Sequence, residues 1–278
     1  MHSVETLYRG SGTLIGAPVC TLIVLHRLLD EYPVVVLHNR YLGAGTLEEP
    51  PRVSWGRRRV FSPYDVASRG TWVGFNESGL LVAVTNQETE FNERPARSRG
   101  LLAMDLLDGC ETAEEAKAFL TDPDVRWDYR RGNFVVADGN SAWQVVWDKE
   151  TVAQRLQPGG HVVTTLTIFP GVEWTERAEK MWVNVEKRRI RALQLLGALD
   201  VSDLDGTVEG LKIIGSDHGS EKGPGSICYH YPTGENVQTS STIMALGQEI
   251  SNSRILYCVG NACENEYKDY SEMLKGGV

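Results

Sequence analysis

Cysteine, long apolar runs and excess positive charge are all scarce in this chain. Among its 278 residues are five cysteines, an odd and irregularly spaced set. Such a set does not form a disulfide framework, so we expect a reducing compartment, the cytoplasm. No apolar run reaches the roughly 18 residues of a membrane-spanning helix, and we expect none. The net charge of −9 argues against nucleic acid and anionic membranes as partners, because both require a basic surface.

Two further motif classes are weak. The glycines of GSGTLIGAP (10–18) lack the strand-to-helix frame and the following Lys-Ser/Thr of a phosphate loop. His218, Cys228 and His230 lie close in sequence but lack the CxxC or HxxxH spacing typical of zinc sites. We therefore expect no metal and no cofactor. Cys228 and His230 are interpreted as packing residues that alternate onto one face of a strand.

What the chain does contain is blocks of β-rich sequence separated by helical sequence. Hydrophobic patterns predict strands over 20–27, 33–40, 70–86, 133–148, 161–169, 226–231, 237–246 and 253–259, and helices over 98–120, 174–199 and 207–214. The 70–86 and 133–148 segments each hold two strands around a turn. No internal repeat or linker interrupts the pattern, so we expect one domain of antiparallel sheets with helices packed outside.

Cys20 opens the first predicted strand. A thiol in that place can act as a nucleophile whose base is its own α-amine, provided that the chain begins there. A free α-amine, with a pKa of about 7.7–8.0, is suited to that task. The alternative is a small buried core residue, which is the usual fate of a free cysteine. The preceding segment 1–19 has no convincing helix or strand pattern.

Several phrases in a fixed order carry a family resemblance. They are Cys20, HNR (38–40), GTWVGFNESGLLVAVTN (70–86) and SRG (98–100) ahead of a helix. Together they resemble the NRDE family, which includes the transport and Golgi organisation proteins and belongs to the cysteine-type N-terminal nucleophile (Ntn) hydrolases. The segment 216–246 resembles the corresponding part of penicillin and bile-salt acylases and of isopenicillin N acyltransferase. The resemblance spans about residues 20–246.

The resemblance implies an α+β fold, a four-layer αββα sandwich in which Cys20 attacks an amide carbonyl. Arg40 matches the family arginine beside the nucleophile, where it favours the thiolate or holds a substrate carboxylate. Asn86 matches an asparagine that helps to form the oxyanion hole. Without the resemblance, Arg40 is most simply an arginine in a solvated ion pair, and Asn86 a turn residue that closes a strand.

The chain departs from the family pattern at two places. The family tetrad Asn-Arg-Asp-Glu reads Asn-Arg-Tyr-Leu over 39–42. Tyr41 cannot supply the negative charge that would orient the amine of the nucleophile, and another carboxylate such as Asp65 is a candidate for that role. Thr164 and Thr165 stand where relatives often have asparagine, and we take Thr165 as a second candidate donor because a hydroxyl can donate a hydrogen bond.

The resemblance also divides the chain into parts. We expect a leader at 1–19, an Ntn-hydrolase-like domain at 20–260 and a C-terminal tail at 261–278. The leader is either cleaved by the protein itself at the Val19–Cys20 bond or lies ahead of the true start.

The function implied is that of an amidohydrolase or acyltransferase that acts on a linear N-acyl amide bond of a small molecule through a thioester. The alternative is a non-catalytic carrier of haem or lipid on the same scaffold, which the replaced acid favours. The acyl group, the amine and the oligomeric state stay open at this point.

Overall fold

The computed structural model describes residues 20–88, 96–172, 174–231, 234 and 236–275, so the expected leader lies outside the described residues. The strands are β1 Thr21–His26, β2 Val34–Gly43, β3 Glu48–Trp55, β4 Arg59–Asp65, β5 Val73–Asn76, β6 Leu81–Thr85, β7 Gly132–Ala137, β8 Ala142–Trp147, β9 Thr151–Arg155, β10 Gly159–Thr164, β11 Asn236–Leu246, β12 Arg254–Val259 and β13 Lys268–Asp269. The helices are α1 Arg99–Gly109, α2 Ala113–Thr121, α3 Glu176–Leu196 and α4 Leu204–Gly215, with short 3-10 turns at Ile250–Asn252 and Ser271–Leu274.

The strands form two antiparallel sheets. Sheet A has six strands in the order β10-β1-β2-β11-β12-β13, and sheet B has seven in the order β3 to β9. β1 is therefore an inner strand of sheet A, flanked by β10 and β2. This placement fixes the surroundings of the residue that precedes it, Cys20.

β1 is apolar on both faces because both faces are covered. Leu22 and Val24 belong to the core between the two sheets, whereas Ile23 and Leu25 belong to a second core on the other side of sheet A. A strand buried on both sides has no reason to alternate apolar with polar residues, which explains its continuous apolar sequence.

Helices cover the outer face of each sheet. α1 and α2 pack on sheet B around a core that includes Leu102, Leu106 and Phe134. α3 and α4 pack on sheet A around a core that includes Ala192, Leu211 and Ile243. The predicted αββα sandwich is confirmed. Within the described residues, no helix combines the length and the apolar character needed to cross a bilayer.

The helical segment predicted over 98–120 is two helices. α1 ends at the C-cap residue Cys110, and α2 begins after Thr112, whose Oγ1 accepts a hydrogen bond of 3.2 Å from the backbone N–H of Glu115. The Thr-x-x-Glu spacing thus marks a helix start rather than a helix interior.

Other differences concern strands. The sequence pattern missed β3, β4 and β9, and β3 contains Pro50 and Pro51. Proline is tolerated there because β3 is an edge strand of sheet B. The strand predicted over 226–231 is wrong: this segment has irregular backbone. The segment expected to be a tail adds β13 to sheet A and buries Leu274 between the sheets.

A loop after β4 packs tightly on the start of α1. The backbone N–H of Asp65 donates to the Gly70 carbonyl at 2.8 Å, and that of Thr71 donates to the Gly100 carbonyl at 3.1 Å. A Cβ at Gly70 would lie only 2.2 Å from the carbonyl carbon of Gly100. Gly70 is therefore needed for the close approach of loop and helix.

Gly70→Ala tests this contact against Gly109→Ala at the far end of the same helix. The first change forces backbone apart and should lower the free energy of unfolding by about 1–3 kcal/mol. A Cβ at Gly109 meets no described atom within 4 Å, so the second should leave stability equal or slightly raised. Urea midpoints measure both, and a Gly70→Ala midpoint equal to that of the unmodified protein would contradict the packing argument.

Candidate active site

A polar cavity of about 180 Å³ lies where the start of β1, the ends of β2 and β4, β6 and the start of α1 meet. Its lining includes Cys20, Arg40, Asp65, Trp72, Asn86 and Arg99. Three of the four site residues predicted from sequence therefore share one cavity.

Strand pairing sets the position of Cys20. Thr21 lies opposite Asn39 of β2, so Cys20, one residue earlier, lies beside Arg40 at the end of that register. The pairing of β1 with β10 brings Thr165 to the other side of Cys20 in the same way. Cys20 is 7% exposed and faces a cavity rather than bulk solvent.

Burial raises the pKa of the Cys20 thiol above its ordinary value. Two kinds of group oppose this effect, a hydrogen bond from the Tyr41 backbone and the positive charges of arginines. The arginines are Arg40, Arg99 and Arg188. Because burial has the larger effect, the thiol keeps its proton at neutral pH, and attack on a carbonyl requires a base to remove it.

Arg40 is buried between two carboxylates. Its Nη1 donates to Glu48 and its Nη2 to Asp65, while its guanidinium carbon lies 3.8 Å from the ring centroid of Trp72. Tyr257 donates a hydrogen bond of 2.8 Å to the other oxygen of Glu48. Arg40 is thus in a buried ion pair, not a solvated one, and both of its terminal nitrogens hold carboxylates of the protein.

Tyr41, which replaces the family acid, faces away from Arg40. Successive residues of a strand point to opposite sides, and the Tyr41 ring packs on Tyr229 with centroids 4.9 Å apart. Its hydroxyl donates to the Ile227 carbonyl, and burial raises its pKa far above neutral pH. Asp65, proposed from sequence as a substitute, is the carboxylate that lines the cavity with Cys20.

Asn86 follows β6 and is held by its neighbours. Its Oδ1 accepts a hydrogen bond from Arg99 Nη2, and its Nδ2 donates to Glu88 Oε1 at 3.1 Å. Glu88 in turn pairs with Arg177 at 3.3 Å. The arginine on the carbonyl side fixes the orientation of the amide, so that its NH₂ group points toward Glu88.

Arg99 is the site residue that sequence reasoning missed. It is the first residue of α1, is half-buried, and donates through Nη1 to the Arg131 carbonyl at 2.6 Å. Desolvation lowers its pKa, and the negative charge of Glu88 has the opposite effect. A cation in the first turn of a helix interacts unfavourably with the helix dipole. An arginine at this position in the sequence could therefore have indicated a functional role.

Thr165 is placed differently from the other predicted residues. It has no exposed surface, its carbonyl accepts a 3.2 Å hydrogen bond from the Glu88 backbone, and it lies outside the described lining of this cavity. Its part in an oxyanion hole therefore stays a prediction with less geometric support than that of Asn86.

A separate group of side chains lies outside the cavity. His218, Cys228 and His230 come together with Cys263, with one nitrogen or sulfur atom of each within 4.8 Å of all the others. We call these four residues the His/Cys cluster. Cys228 and His230 do point the same way, but from irregular backbone and not from the expected strand.

Comparison with known proteins identifies the family of this chain. A family model described as Transport and Golgi organisation 2 matches residues 20–208, and its match begins at the cavity cysteine. The chain belongs to this family. No curated protein sequence matches the chain significantly.

Two solved structures of other proteins share the fold of this chain at low sequence identity. Penicillin V acylase from Agrobacterium tumefaciens superposes with a TM-score of 0.55 and 13% identity over 93% of this chain and 89% of that one. A mutant conjugated bile acid hydrolase from Clostridium perfringens gives 0.52 and 14%, over 90% of this chain and 96% of that one. Both are Ntn-hydrolase acylases. The family resemblance predicted from the sequence is therefore confirmed, and this chain has the same fold as these two proteins.

Arg40→Met tests the buried ion pair, with Arg52→Met as the matched control. The first change leaves Glu48 and Asp65 buried without their cation and should cost about 3–5 kcal/mol of unfolding free energy. Arg52 pairs with Glu49 at the surface, where the side chains are 43% and 49% exposed, so its loss should change little. Urea unfolding checks both, and equal losses would show that burial of the pair is not what matters.

Proposed function

We propose that the protein is a cysteine Ntn amidohydrolase or acyltransferase that cleaves a linear N-acyl amide bond of a small molecule. The observation that carries the proposal is the position of Cys20, which heads β1 and opens into a cavity that also contains Arg40 and Asn86. The start of the family match at the same residue supports it.

The base in this mechanism is the α-amine of Cys20. The buried thiol keeps its proton, and the charged side chains that act on it most are the guanidinium groups of Arg40, Arg99 and Arg188, which cannot serve as a base. An amide nitrogen inside the chain cannot accept a proton, so the active form begins at Cys20. We propose that residues 1–19 are removed at the Val19–Cys20 bond, or are not part of the active protein.

Acylation then proceeds in two steps. The α-amine takes the thiol proton while Sγ forms a bond to the amide carbon of the substrate, and the carbonyl electrons move to oxygen. Asn86 donates to that oxyanion through its NH₂ group, with Thr165 as the second proposed donor. When the tetrahedral intermediate collapses, the C–N bond breaks, the α-ammonium returns its proton to the leaving amine, and a thioester to Cys20 remains.

Deacylation reverses these roles. The α-amine removes a proton from a water molecule or an acceptor amine, which attacks the thioester carbon. The C–S bond breaks, the thiolate of Cys20 recovers the proton, and a carboxylic acid or a new amide leaves. Asp65 is the carboxylate proposed to hold the α-ammonium during the cycle, and its bond to Arg40 orients it.

The charge of the cavity bears on the substrate. The positive charge of Arg40 is balanced by Glu48 and Asp65. Arg99 and Arg130 also line the cavity and contribute further positive charge. Guanidinium groups bind carboxylates with paired hydrogen bonds, so N-acyl amino acids are the first class to screen. We also propose a cytoplasmic location, on the small, odd and irregularly spaced set of cysteines in the sequence.

The alternative function, a non-catalytic carrier of haem or lipid, rests on the replacement of the family acid by Tyr41. A thiol-directed probe separates the two. Cys20 in a catalytic site should react faster than the other buried thiols, whereas Cys20 in a carrier should be as inert as Cys110 or Cys258.

Cys20→Ser should abolish release of free amine from a panel of N-acyl amino acids. The hydroxyl is nearly isosteric with the thiol but a far weaker nucleophile at neutral pH, so turnover should fall by several orders of magnitude with little change in stability. Cys110→Ser, a buried thiol outside the cavity, is the control and should retain activity. A Cys20→Ser variant that keeps most of the turnover would remove Cys20 from the reaction.

The α-amine is tested by moving the start of the chain. Protein that begins at Cys20 should be active, and protein with one extra alanine joined before Cys20 should be inactive, since its base is then an amide nitrogen. Intact mass identifies the N-terminus of each sample. Full activity of a protein that still carries residues 1–19 would exclude this mechanism.

A further inference from the structure

The His/Cys cluster is built from two loops far apart in sequence. His218, Cys228 and His230 lie in the irregular segment 217–231 that follows α4. Cys263 lies in the loop after β12. All four residues fall outside the described lining of the Cys20 cavity. The cluster therefore needs an explanation of its own.

Three distances within the cluster, all measured from His230, are close to the edge lengths of a zinc coordination tetrahedron, and all four ligand atoms lie within 4.8 Å of one another. His230 Nε2 lies 3.1 Å from His218 Nε2, 3.8 Å from Cys228 Sγ and 3.4 Å from Cys263 Sγ. Zinc bonds of about 2.0–2.1 Å to nitrogen and about 2.3 Å to sulfur place neighbouring tetrahedral ligand atoms roughly 3.3–3.8 Å apart. The three separations lie within or close to that range.

Hydrogen bonding alone does not account for this arrangement. His230 Nε2 carries either one hydrogen or one lone pair, yet it is approached by a second imidazole, two thiols and Asn261 Nδ2 at 3.3 Å. One nitrogen cannot bond to all of these groups. A cation at the centre of the cluster would use the lone pairs of all four ligand atoms at once.

We propose that His218, Cys228, His230 and Cys263 bind a structural Zn²⁺ ion. Four protein ligands fill a tetrahedral shell and leave no position for substrate, which is typical of a structural site. On binding, each thiol loses its proton to solvent, so two protons leave and the two thiolates balance the charge of the ion. Asn261 Nδ2, 3.5 Å from Cys228 Sγ, is placed to donate a hydrogen bond to that thiolate.

The spacing rule that argued against a zinc site examined one stretch of sequence. Cys263 follows His230 by 33 positions, and the structure alone brings the two loops together. A second contact joins the same loops at the surface, where Lys222 pairs with Glu264 at 3.1 Å. The metal would therefore join two loops that already pack against each other.

The segment that the ion would hold lies beneath β2. The carbonyl of Ile227, next to Cys228, accepts hydrogen bonds from Asn39 and Tyr41, and that of Ser226 accepts one from Arg188 at 2.9 Å. A zinc ion would fix this segment against sheet A on the side opposite the cavity. Its loss should lower stability, and the inference does not depend on the proposed enzymatic activity.

The test is metal content of the full chain purified under reducing conditions with zinc in the medium and then dialysed. Elemental analysis should find about one zinc per chain. Cys263→Ser, at a half-buried position, should lose most of the metal, and Cys110→Ser should keep it. Replacement of zinc by Co²⁺ should produce a thiolate-to-cobalt absorption band in the near ultraviolet that Cys263→Ser lacks.

Thermal unfolding supplies a second readout. A strong chelator should lower the Tm of the unmodified protein and have much less effect on Cys263→Ser. If Cys263→Ser fails to fold by circular dichroism, His218→Gln takes its place in both measurements. The proposal is overturned if the unmodified protein holds no more zinc than these variants, if it holds another metal stoichiometrically, or if Cys228 and Cys263 form a disulfide under the same reducing conditions.

Discussion

The buried ion pair of Arg40 with Glu48 and Asp65 is the interaction on which the cavity depends. Arg40 belongs to sheet A, whereas both carboxylates belong to sheet B, so the pair joins the two sheets beside Cys20. Asp65 also accepts a 2.7 Å hydrogen bond from the backbone of Ser68, and thereby starts the loop that packs on α1. The ion pair thus links the two sheets beside Cys20 and holds the start of the loop through the same carboxylate.

That loop transmits the constraint to the rest of the site. Its close approach at Gly70 and Gly100 fixes the start of α1, where Arg99 is the first helical residue. Arg99 in turn holds the carbonyl end of Asn86 and so determines which end of that amide can donate. The donor proposed for the oxyanion is therefore positioned by a series of contacts that begins on the opposite sheet. Connected polar contacts of this kind hold each side chain in one orientation.

The sequence predicted correctly those features that depend on a contiguous stretch of residues. The uninterrupted apolar run of β1 and the capping residue Thr112 are such features. The ordered family phrases identified the fold, and they also singled out Cys20 and Asn86, which the structure brings to one cavity. The features that could not be predicted depend on contacts between segments that are far apart in sequence. Asp65 was named without a position because its strand, β4, was not recognised, and Cys263 joined the His/Cys cluster only through the packing of two loops. Burial of Arg40 between carboxylates is likewise a tertiary fact, since its sequence neighbours do not provide them.

The two faces of β2 explain how the family acid could be replaced at position 41. Arg40 faces the cavity between the sheets, whereas Tyr41 faces the helical layer, with the Arg188 guanidinium 5.6 Å from its ring centroid. A side chain at position 41 therefore reaches the α3 side of sheet A and not the wall formed by Arg40 and Asp65. An acid there would have to be buried beside Arg188, where an aromatic ring packs without a desolvation penalty for its own charge. The replacement changes the packing between β2 and α3, while Asp65, the carboxylate proposed to hold the amine of Cys20, lies in the cavity and comes from the other sheet. On this geometry the loss of the tetrad acid weakens the argument for a non-catalytic carrier.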